Sequence, residues 1–315
     1  MPAAQTRASG PYDGRTFIIL NPAAGQEDPA KLRRLVGGEF AARRAPFDLA
    51  ETEYAGHATG LARHAVACGY RAVCVVGGDG TVAEAANGVA GTDVPLAIIP
   101  RGTANQLAHN LRLPSRLEEA VEVAVDGTPT AMDVGRIDGR TFALVAGAGL
   151  DAAVMASATR GLKDRWGFGA YIVAAVKEAL TATPVPFHLT VDGQELDVRA
   201  VSVMLANVGE LFTSFLPFAL PLTPRPRRSW QDGLFDVVIL APRNLGDVAN
   251  VLWKAARKQF AGDDRLLHFQ ATEVRIETDP PVAVQVDGDP AGVTPVAAAV
   301  APAGVRVLGR AHRGF

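Results

Sequence analysis

The sequence predicts two domains: an N-terminal α/β domain built on a parallel sheet, and a C-terminal β-rich domain with an antiparallel, sandwich-like sheet arrangement. The 315 residues are more than one ordinary core accommodates. Short apolar runs alternate with helical stretches up to Asp133, and this alternation is typical of a parallel sheet covered by helices. After Asp133 strand patterns dominate, with Asp-Gly pairs between them that favour antiparallel connections.

The N-terminal elements alternate regularly along the chain. In order, they are the strands 17–20, 47–53, 72–76 and 96–99, separated and followed by the helices 31–44, 58–68, 82–89 and 104–111. Ligands of such sheets bind beyond the carboxyl ends of the strands. The glycine-rich segments that follow the strands therefore mark the predicted binding edge.

The second half contains strands and two helices. The predicted strands are 141–145, 187–191, 198–205, 235–239, 274–277 and 282–286, and the helices are 165–180 and 245–260. Asp192-Gly193 and Asp287-Gly288 are predicted turns. We place the domains at 14–135 and 136–302, with residues 303–315 returning to the first domain, where the apolar run 305–308 would complete a sheet.

Composition excludes several classes of protein. Hydrophobic residues make up 48% and charged residues 20%, so the chain can bury a core, and a net charge of −2 argues against a general nucleic-acid binder. Cys68 and Cys74 lack the spacing of a zinc site or a disulfide framework and are expected to be core thiols. Without an apolar leader or a spanning run, we expect a cytoplasmic protein whose membrane contact is peripheral.

Three segments that follow predicted strands carry the chemistry. They are Asn21-Pro-Ala-Ala-Gly25, Gly77-Gly-Asp-Gly-Thr81 and Pro100-Arg-Gly-Thr-Ala-Asn105. Glycine lets the backbone approach a phosphate closely, and the helix N-terminus that follows favours an anion. One such segment is equally well explained as a strand-to-helix connection, with Thr81 and Thr103 as helix caps. Three at one sheet edge favour a nucleotide site.

Asp79 is unusual in a phosphate-binding segment, because a carboxylate repels polyphosphate unless a cation intervenes. Magnesium, bound directly or through water, would resolve that conflict. The alternative is an ordinary turn aspartate, which leaves the surrounding glycines unexplained.

Taken in order, these segments and several later ones resemble the catalytic-domain family of the diacylglycerol kinases, which includes bacterial lipid kinases and sphingosine kinases. The later segments are Glu84 with Asn87-Gly88, Asp133-Val-Gly135, Gly147-Ala-Gly-Leu-Asp151, Asp232-Gly-Leu-Phe-Asp236 and Asp287-Gly-Asp289. The matching segments span almost the whole chain. The resemblance implies an ATP-binding α/β domain followed by a β-sandwich domain for the lipid.

The resemblance also implies roles for individual residues. Asp79 would be essential for handling phosphate and Mg²⁺. The implied contacts to ATP come from Asn21, Thr52, Gly77, Gly78, Asp79, Gly80, Thr81, Glu84, Gly102, Thr103 and Asn105. Asp133 would join a nearby acidic, water-linked network. Asp232, with main-chain groups of Ser229 and Leu234, would form a structural Mg²⁺ site; without the resemblance, Asp232-Gly233 would be a simple turn.

The late Asp287-Gly288-Asp289 turn supplies the candidate base for deprotonating a lipid hydroxyl. Asp289 is favoured and Asp287 is a close alternative, while a solvated hairpin tip is the reading without the resemblance. The chain departs from the family pattern in three ways. Asp289 stands where glutamate is usual, and Gln106 replaces an aspartate of the presumed Mg²⁺ network. The segment 211–230 contains phenylalanines and prolines where the family tends to have a glycine-rich segment.

Two basic and aromatic clusters suggest membrane contact. One combines Phe212, Phe215, Phe218, Arg225, Arg227, Arg228 and Trp230, and the other Arg160, Lys163, Arg165 and Trp166. Aromatic rings suit the bilayer interface and cations suit anionic headgroups. Core phenylalanines beside a solvated arginine loop explain the same pattern equally well.

The function that combines these observations is a lipid kinase that transfers the γ-phosphoryl group of Mg-ATP to a lipid hydroxyl, with diacylglycerol as the favoured acceptor. One alternative is an NAD kinase, which shares the Gly-Gly-Asp-Gly-Thr segment. The other is a lipid-binding relative without catalysis, suggested by Gln106 and Asp289. A homodimer is an expectation from the family.

Overall fold

The computed structural model describes residues 12–25, 27–150, 183–208, 210–211, 220–221, 229–242, 247 and 265–310. The chain divides into two compact units, one formed by Met1–Ala131 with Gly304–Phe315 and the other by Met132–Ala303. The predicted helices 165–180 and 245–260 lie outside the described residues, apart from Asp247. Both basic and aromatic clusters, except Trp230, also lie outside them.

The N-terminal unit is an α/β unit, as predicted. Its elements are β1 (Thr16–Leu20), α1 (Pro29–Ala42), β2 (Phe47–Glu51), α2 (His57–Cys68), β3 (Ala72–Gly77), α3 (Asp79–Val89), β4 (Leu96–Pro100), α4 (Gln106–Asn110) and α5 (Leu117–Asp126). The parallel strands lie in the order β2-β1-β3-β4. Every residue of β1, β3 and β4 is buried, as expected for a parallel sheet covered on both faces.

Local chemistry explains how α1 begins. The Asp28 side chain accepts a hydrogen bond from the backbone N–H of Lys31, and Pro29 occupies the first helical position, where its missing N–H costs nothing. Leu32, Val36 and Phe40 then lie on one buried face. Each fully buried large side chain stabilises the fold by roughly 1.5–3 kcal/mol, so this face holds α1 on the sheet.

The C-terminal unit is built from antiparallel strands. Its elements, two of which continue into the first unit, are β5 (Thr128–Ile137), β6 (Arg140–Phe142), β7 (Val145–Gly149), β8 (Val185–Val191), β9 (Gln194–Ala200), β10 (Ser202–Ala206), β11 (Glu210–Leu211), β12 (Leu220–Pro221), a 3₁₀ turn (Ser229–Gln231), β13 (Phe235–Leu240), β14 (Leu266–Ala271), β15 (Glu273–Thr278), β16 (Ala283–Val286), β17 (Asp289–Val293) and β18 (Val296–Gly309). One sheet has the order β14-β13-β10-β7-β16-β17, and the other contains β18, β15, β8 and β9. Phe142, Phe187 and Phe235 are fully buried in their shared core.

Both predicted Asp-Gly turns join antiparallel strands. Asp192 (φ 47°) and Gly193 (φ 83°) connect β8 to β9, and Asp287 (φ 48°) and Gly288 (φ 92°) connect β16 to β17. Two consecutive positive φ angles match the twist of a tight hairpin. The run 305–308 lies in β18, where Val307 pairs in parallel with Leu96 of β4.

Two predicted strands were wrong in extent. The run 198–205 is divided between β9 and β10, because the chain passes from one sheet to the other at Val201. The run 141–145 is interrupted at Ala143 and Leu144, where the backbone bonds to side chains instead of a strand. Apolar periodicity does not mark either interruption, since the residues concerned are buried in any case.

The cysteines differ in environment. Cys74 is buried in β3, and burial raises the pKa of its thiol to about 12. Cys68, at the end of α2, is only partly buried, so the expectation of two core thiols holds for Cys74 alone. Within the described part of the chain, no helix is both long and apolar enough to cross a membrane.

Candidate active site

Three loops of the N-terminal unit lie at one edge of its sheet. Parallel pairing places Leu20 beside Val76 and Gly77 beside Pro100, so the segments that follow β1, β3 and β4 begin side by side. This is the edge at which ligands of parallel sheets bind. The structure therefore brings together the three glycine-containing segments singled out in the sequence.

The segment after β3 is shorter than predicted, because α3 begins at Asp79 rather than at residue 82. Gly78 is the N-cap residue, and Asp79, Gly80 and Thr81 form the first helical turn. The first backbone N–H groups of a helix have no partner within it and favour an anion. The predicted phosphate-binding segment is thus a short Gly77-Gly78 connection followed by the N-terminus of α3.

Glycines allow the second and third loops to touch. A Cβ atom added to Gly102 would lie 2.5 Å from the Cα atom of Gly78, and one added to Gly78 would lie 3.1 Å from the Cα atom of Gly102. A side chain at either position would push the loops apart. The close packing of the two loops therefore requires glycine at both positions, independently of any contact with phosphate.

Asn21 ties the first loop to α3. Its side-chain Nδ2 donates to Thr81 Oγ1 at 2.8 Å, and its Oδ1 accepts from the backbone N–H of Ala23 at 2.9 Å. Thr81 is itself buried. In this structure Asn21 and Thr81, both implied ATP contacts, join the first loop to the first turn of α3 through their side chains.

Asn105 closes the third loop on itself. Its Oδ1 accepts from the backbone N–H of Gly102 and its Nδ2 donates to the carbonyl oxygen of Gly102, both at 2.8 Å. Asn105 adopts a left-handed conformation (φ 48°) that asparagine tolerates and that places it at the N-cap of α4. Thr103 is thereby presented at the exposed tip of the loop.

Asp79 lies against the start of α4. Its Oδ1 accepts from the backbone N–H of Leu107 at 3.2 Å. Burial raises the pKa of the Asp79 carboxyl above its ordinary value, and hydrogen bonds from the amides of residues 105–107 oppose that shift only in part. Half-buried negative charge of this kind is suited to a cation or to a phosphate-bound metal ion.

Glu84 and Thr52, two of the implied ATP contacts, make hydrogen bonds to other segments of the N-terminal unit. Both carboxylate oxygens of Glu84 are engaged, accepting from the backbone N–H groups of Gly56 (2.7 Å) and Ala58 (3.0 Å). The N-cap residue of α2 is Gly56, which has no side chain to offer, so Glu84 caps that helix from α3. Glu84 therefore caps helix α2, and its contact with ATP stays a prediction. Thr52 follows β2, and its N–H donates to Leu20.

In the C-terminal unit, Asp133 is a buried connector. Its Oδ2 accepts from the backbone N–H of Gly233 at 2.8 Å and its Oδ1 from that of Ala303 at 2.7 Å. Both oxygens of Asp133 thus bond directly to the main chain, and the predicted water-linked network around Asp133 stays a prediction. Asp133 fixes the turn that carries Asp232.

Asp232 lies in an acidic environment. Its Oδ1 accepts from the N–H of Leu234 at 3.1 Å. Burial first, and then the charges of Asp236 and Asp133, raise the pKa of the Asp232 carboxyl. Ser229 begins the 3₁₀ turn that precedes it. Among the described residues, no group of three or more His, Cys, Asp or Glu side chains could hold a metal ion.

Sequence reasoning overlooked Asp236 as a buried carboxylate. Asp236 is 1% exposed and accepts from His268 Nε2 at 2.9 Å and Gln270 Nε2 at 3.3 Å. The only signal was its position in a strand, where an acidic residue needs partners. Those partners come from the neighbouring strand β14, which was not predicted.

The structure separates the two candidate bases. Asp287 Oδ2 accepts from the N–H of Ala143 at 2.8 Å, and its Oδ1 accepts from those of Leu144 and Val145 at 2.9 Å each. Its oxygens are committed to the main chain, which argues against Asp287 as the base. Asp289, two residues later at the start of β17, is exposed.

Comparison with known proteins agrees with these observations. Residues 15–137 match the family described as Diacylglycerol kinase catalytic domain, and residues 144–309 match the YegS C-terminal NAD kinase beta sandwich-like domain. A diacylglycerol kinase of Mycobacterium tuberculosis strain H37Rv is 32% identical over 314 residues, covering 95% of this chain and 96% of that protein.

Two further relatives bear on fold and length. A solved structure of a protein assigned as a diacylglycerol kinase from Bacillus anthracis superposes with a TM-score of 0.76 at 25% identity, covering 94% of this chain and 97% of that one. An uncharacterized Synechocystis protein is 29% identical over 236 residues, or 74% of this chain; the matched region spans 53% of that longer relative.

Proposed function

Because the chain belongs to the diacylglycerol kinase catalytic-domain family and is therefore a lipid kinase that uses ATP, we propose that it transfers the γ-phosphoryl group to the free hydroxyl of diacylglycerol. The observation that carries this proposal is the joined pair of loops at Gly78 and Gly102, with Asp79 beside them. Their backbone amides suit phosphate oxygens, and Asp79 suits the metal ion that accompanies them.

In the proposed reaction the lipid hydroxyl oxygen forms a bond to the γ-phosphorus, and the bond to the β–γ bridging oxygen breaks. ADP leaves with the electron pair, and the hydroxyl proton passes to the carboxylate of Asp289. Phosphoryl transfer depends mainly on alignment and on neutralising the charge of the equatorial oxygens. The N-terminus of α3 and the loop 102–105 supply alignment in this chain.

The carboxylates of this chain fit a magnesium requirement. Asp79 is a half-buried carboxylate at the binding edge of the sheet. Burial, and then the charges of Asp236 and Asp133, raise the pKa of Asp232 and so disfavour its ionised form. Bound Mg²⁺ would neutralise phosphate charge at the first position. At the second position, Asp232 and neighbouring main-chain oxygens would hold a cation that offsets the repulsion.

We expect Mg²⁺ without nucleotide to raise the melting temperature of the protein, and the Asp232→Asn variant to lose that increase. Ligand at about 100 times its dissociation constant stabilises a folded protein by about 2.7 kcal/mol. Thermal unfolding across a magnesium titration measures the effect, with Asp197→Asn, an exposed carboxylate of β9, as the control. Equal magnesium shifts in Asp232→Asn and the native protein would exclude Asp232 as a ligand.

The acceptor is tested directly by mass spectrometry. The protein is incubated with Mg-ATP and, separately, with diacylglycerol, sphingosine, ceramide or NAD, and Asp79→Ala serves as the inactive control. We expect phosphorylated diacylglycerol to dominate. Phosphorylation of NAD alone would favour the NAD kinase alternative. Phosphorylation of sphingosine or ceramide instead would identify that lipid as the acceptor in place of diacylglycerol. No product from any acceptor would favour a non-catalytic lipid-binding protein.

A further inference from the structure

Two Asp-Gly turns of the C-terminal unit use their aspartate in the same way. Asp192 accepts from the N–H groups of Thr272 (3.0 Å) and Glu273 (2.9 Å), and its turn is fixed to the next strand. Asp287, with nearly the same φ, accepts from three consecutive N–H groups, those of residues 143–145. The Asp287 carboxylate is therefore an anchor for its own hairpin turn.

The Asp287 turn is attached at two further points. Its own N–H donates to the carbonyl oxygen of Val145 at 2.8 Å. Gln285, which is 3% exposed, accepts from the N–H of Gly288 at 2.7 Å. The position of Asp289, the next residue, consequently depends on where the segment 143–145 lies.

Asn207 holds that segment from the other side. It is fully buried, its N–H donates to the carbonyl oxygen of Leu144 at 2.8 Å, and its Nδ2 donates to that of Ala143 at 3.0 Å. The same Nδ2 donates to the carbonyl oxygen of Asp133 at 2.8 Å. Asn207 thus joins the segment that anchors the Asp289 turn to the residue that anchors the Asp232 turn.

A continuous series of hydrogen bonds results. It runs from Gly233 through the Asp133 carboxylate, along the Asp133 backbone to the Asn207 amide, and then through the segment 143–145 to Asp287. All its members lie in the C-terminal unit. A buried, largely satisfied network of this kind fixes the relative position of the groups at its ends.

We propose that Asn207 is a positioning residue for the kinase reaction: it sets the place of Asp289 relative to the Asp133–Asp232 carboxylates. This inference rests on the proposed role of Asp289 as base. The chemistry requires an amide, because the carbonyl oxygens of Asp133 and Ala143 both accept from the buried Asn207 Nδ2. An isosteric carboxylate would face the same two oxygens with negative charge, and the segment 143–145 would shift.

The test is the Asn207→Asp variant, for which kcat and the KM for ATP are measured separately. A displacement of about 1 Å in a catalytic group lowers the rate by about 10²-fold, so we expect kcat to fall by that order while the KM for ATP stays within about two-fold of the native value. Thr294→Val is the matched control, since Thr294 is a buried hydrogen-bonding residue at the opposite end of the β16–β17 hairpin.

An unchanged kcat in Asn207→Asp, or a loss no larger than that of Thr294→Val at comparable melting temperature, overturns the proposal. If Asn207→Asp does not fold, the Asp287→Asn variant tests the same network. Its control is Asp192→Asn, which alters the equivalent aspartate of the other Asp-Gly turn. Equal kcat values in these two variants also overturn the proposal. A fully active Asp289→Asn variant would instead refute the role of Asp289, whatever the result at Asn207.

Discussion

The Asp79→Asn variant is expected to lose lipid phosphorylation by about 10³-fold or more while becoming more stable than the native protein. Removing a group that stabilises transition-state charge costs about 10²–10³-fold in kcat, and Asp79 is proposed to act in this way by holding the metal ion of Mg-ATP. An asparagine Oδ1 still accepts the bond from the N–H of Leu107, so the start of α4 keeps its partner.

The stability gain follows from the direction of the pKa shift. Burial raises the pKa of Asp79 in the folded protein above its unfolded value, so the ionised carboxylate disfavours folding. That cost appears as the pH rises through the unfolded pKa and is complete above the folded pKa. The advantage of Asp79→Asn should therefore be present at neutral pH and vanish below the ordinary pKa range of aspartate, where the native side chain is also neutral.

Melting temperatures measured across pH, without nucleotide or metal, check this expectation. Asp48→Asn is the control, and its stability change at neutral pH should have the opposite sign, because the hydrogen bond from Arg15 lowers the pKa of Asp48. Asp48 stabilises the fold above its unfolded pKa, and this contribution is lost as the pH falls through its folded pKa. An Asp79→Asn variant that is less stable than the native protein at neutral pH, or that retains native kcat, would contradict the role given to Asp79.

The Asp289→Asn variant is expected to lower kcat by about 10²–10⁴-fold, the usual contribution of a general base. The KM for ATP should not change. The asparagine side chain can no longer accept the proton, but the glycine-containing loops after β1, β3 and β4 are unaltered. Asp289→Glu should retain substantial activity, since glutamate is the usual residue of the family turn. Steady-state kinetics on the phosphorylated lipid measure all three effects.

Asp138→Asn is the control for this substitution, because Asp138 is an exposed aspartate of an Asp-Gly turn with positive φ between β5 and β6. If Asp289→Asn and Asp138→Asn have the same kcat, Asp289 is not the base. If only Asp289→Asn loses activity and its pH–rate profile loses the acidic limb, the assignment stands.

Much of the N-terminal unit was predictable because its signals are local. The strands β1, β3 and β4 are continuous apolar runs, α1 has an aspartate cap and a proline at its first position, and the loops after the strands contain glycine. Helix α5 was missed although its signal is local as well: Ala120, Val121, Val123 and Ala124 face the core, while Glu118 and Glu119 occupy the first turn.

The sequence by itself determined the fold class, the binding edge and the identity of the carboxylates, since these depend on periodicity, glycine placement and the order of short segments. Only the tertiary structure decided what each carboxylate does. Glu84 caps a helix 26 residues away in sequence, Asp287 binds amides 142–144 residues away, and Asn207 joins segments that have no sequence proximity. A carboxylate paired with buried N–H groups and one exposed to solvent are identical in sequence, and long-range backbone contacts alone separate Asp287 from Asp289.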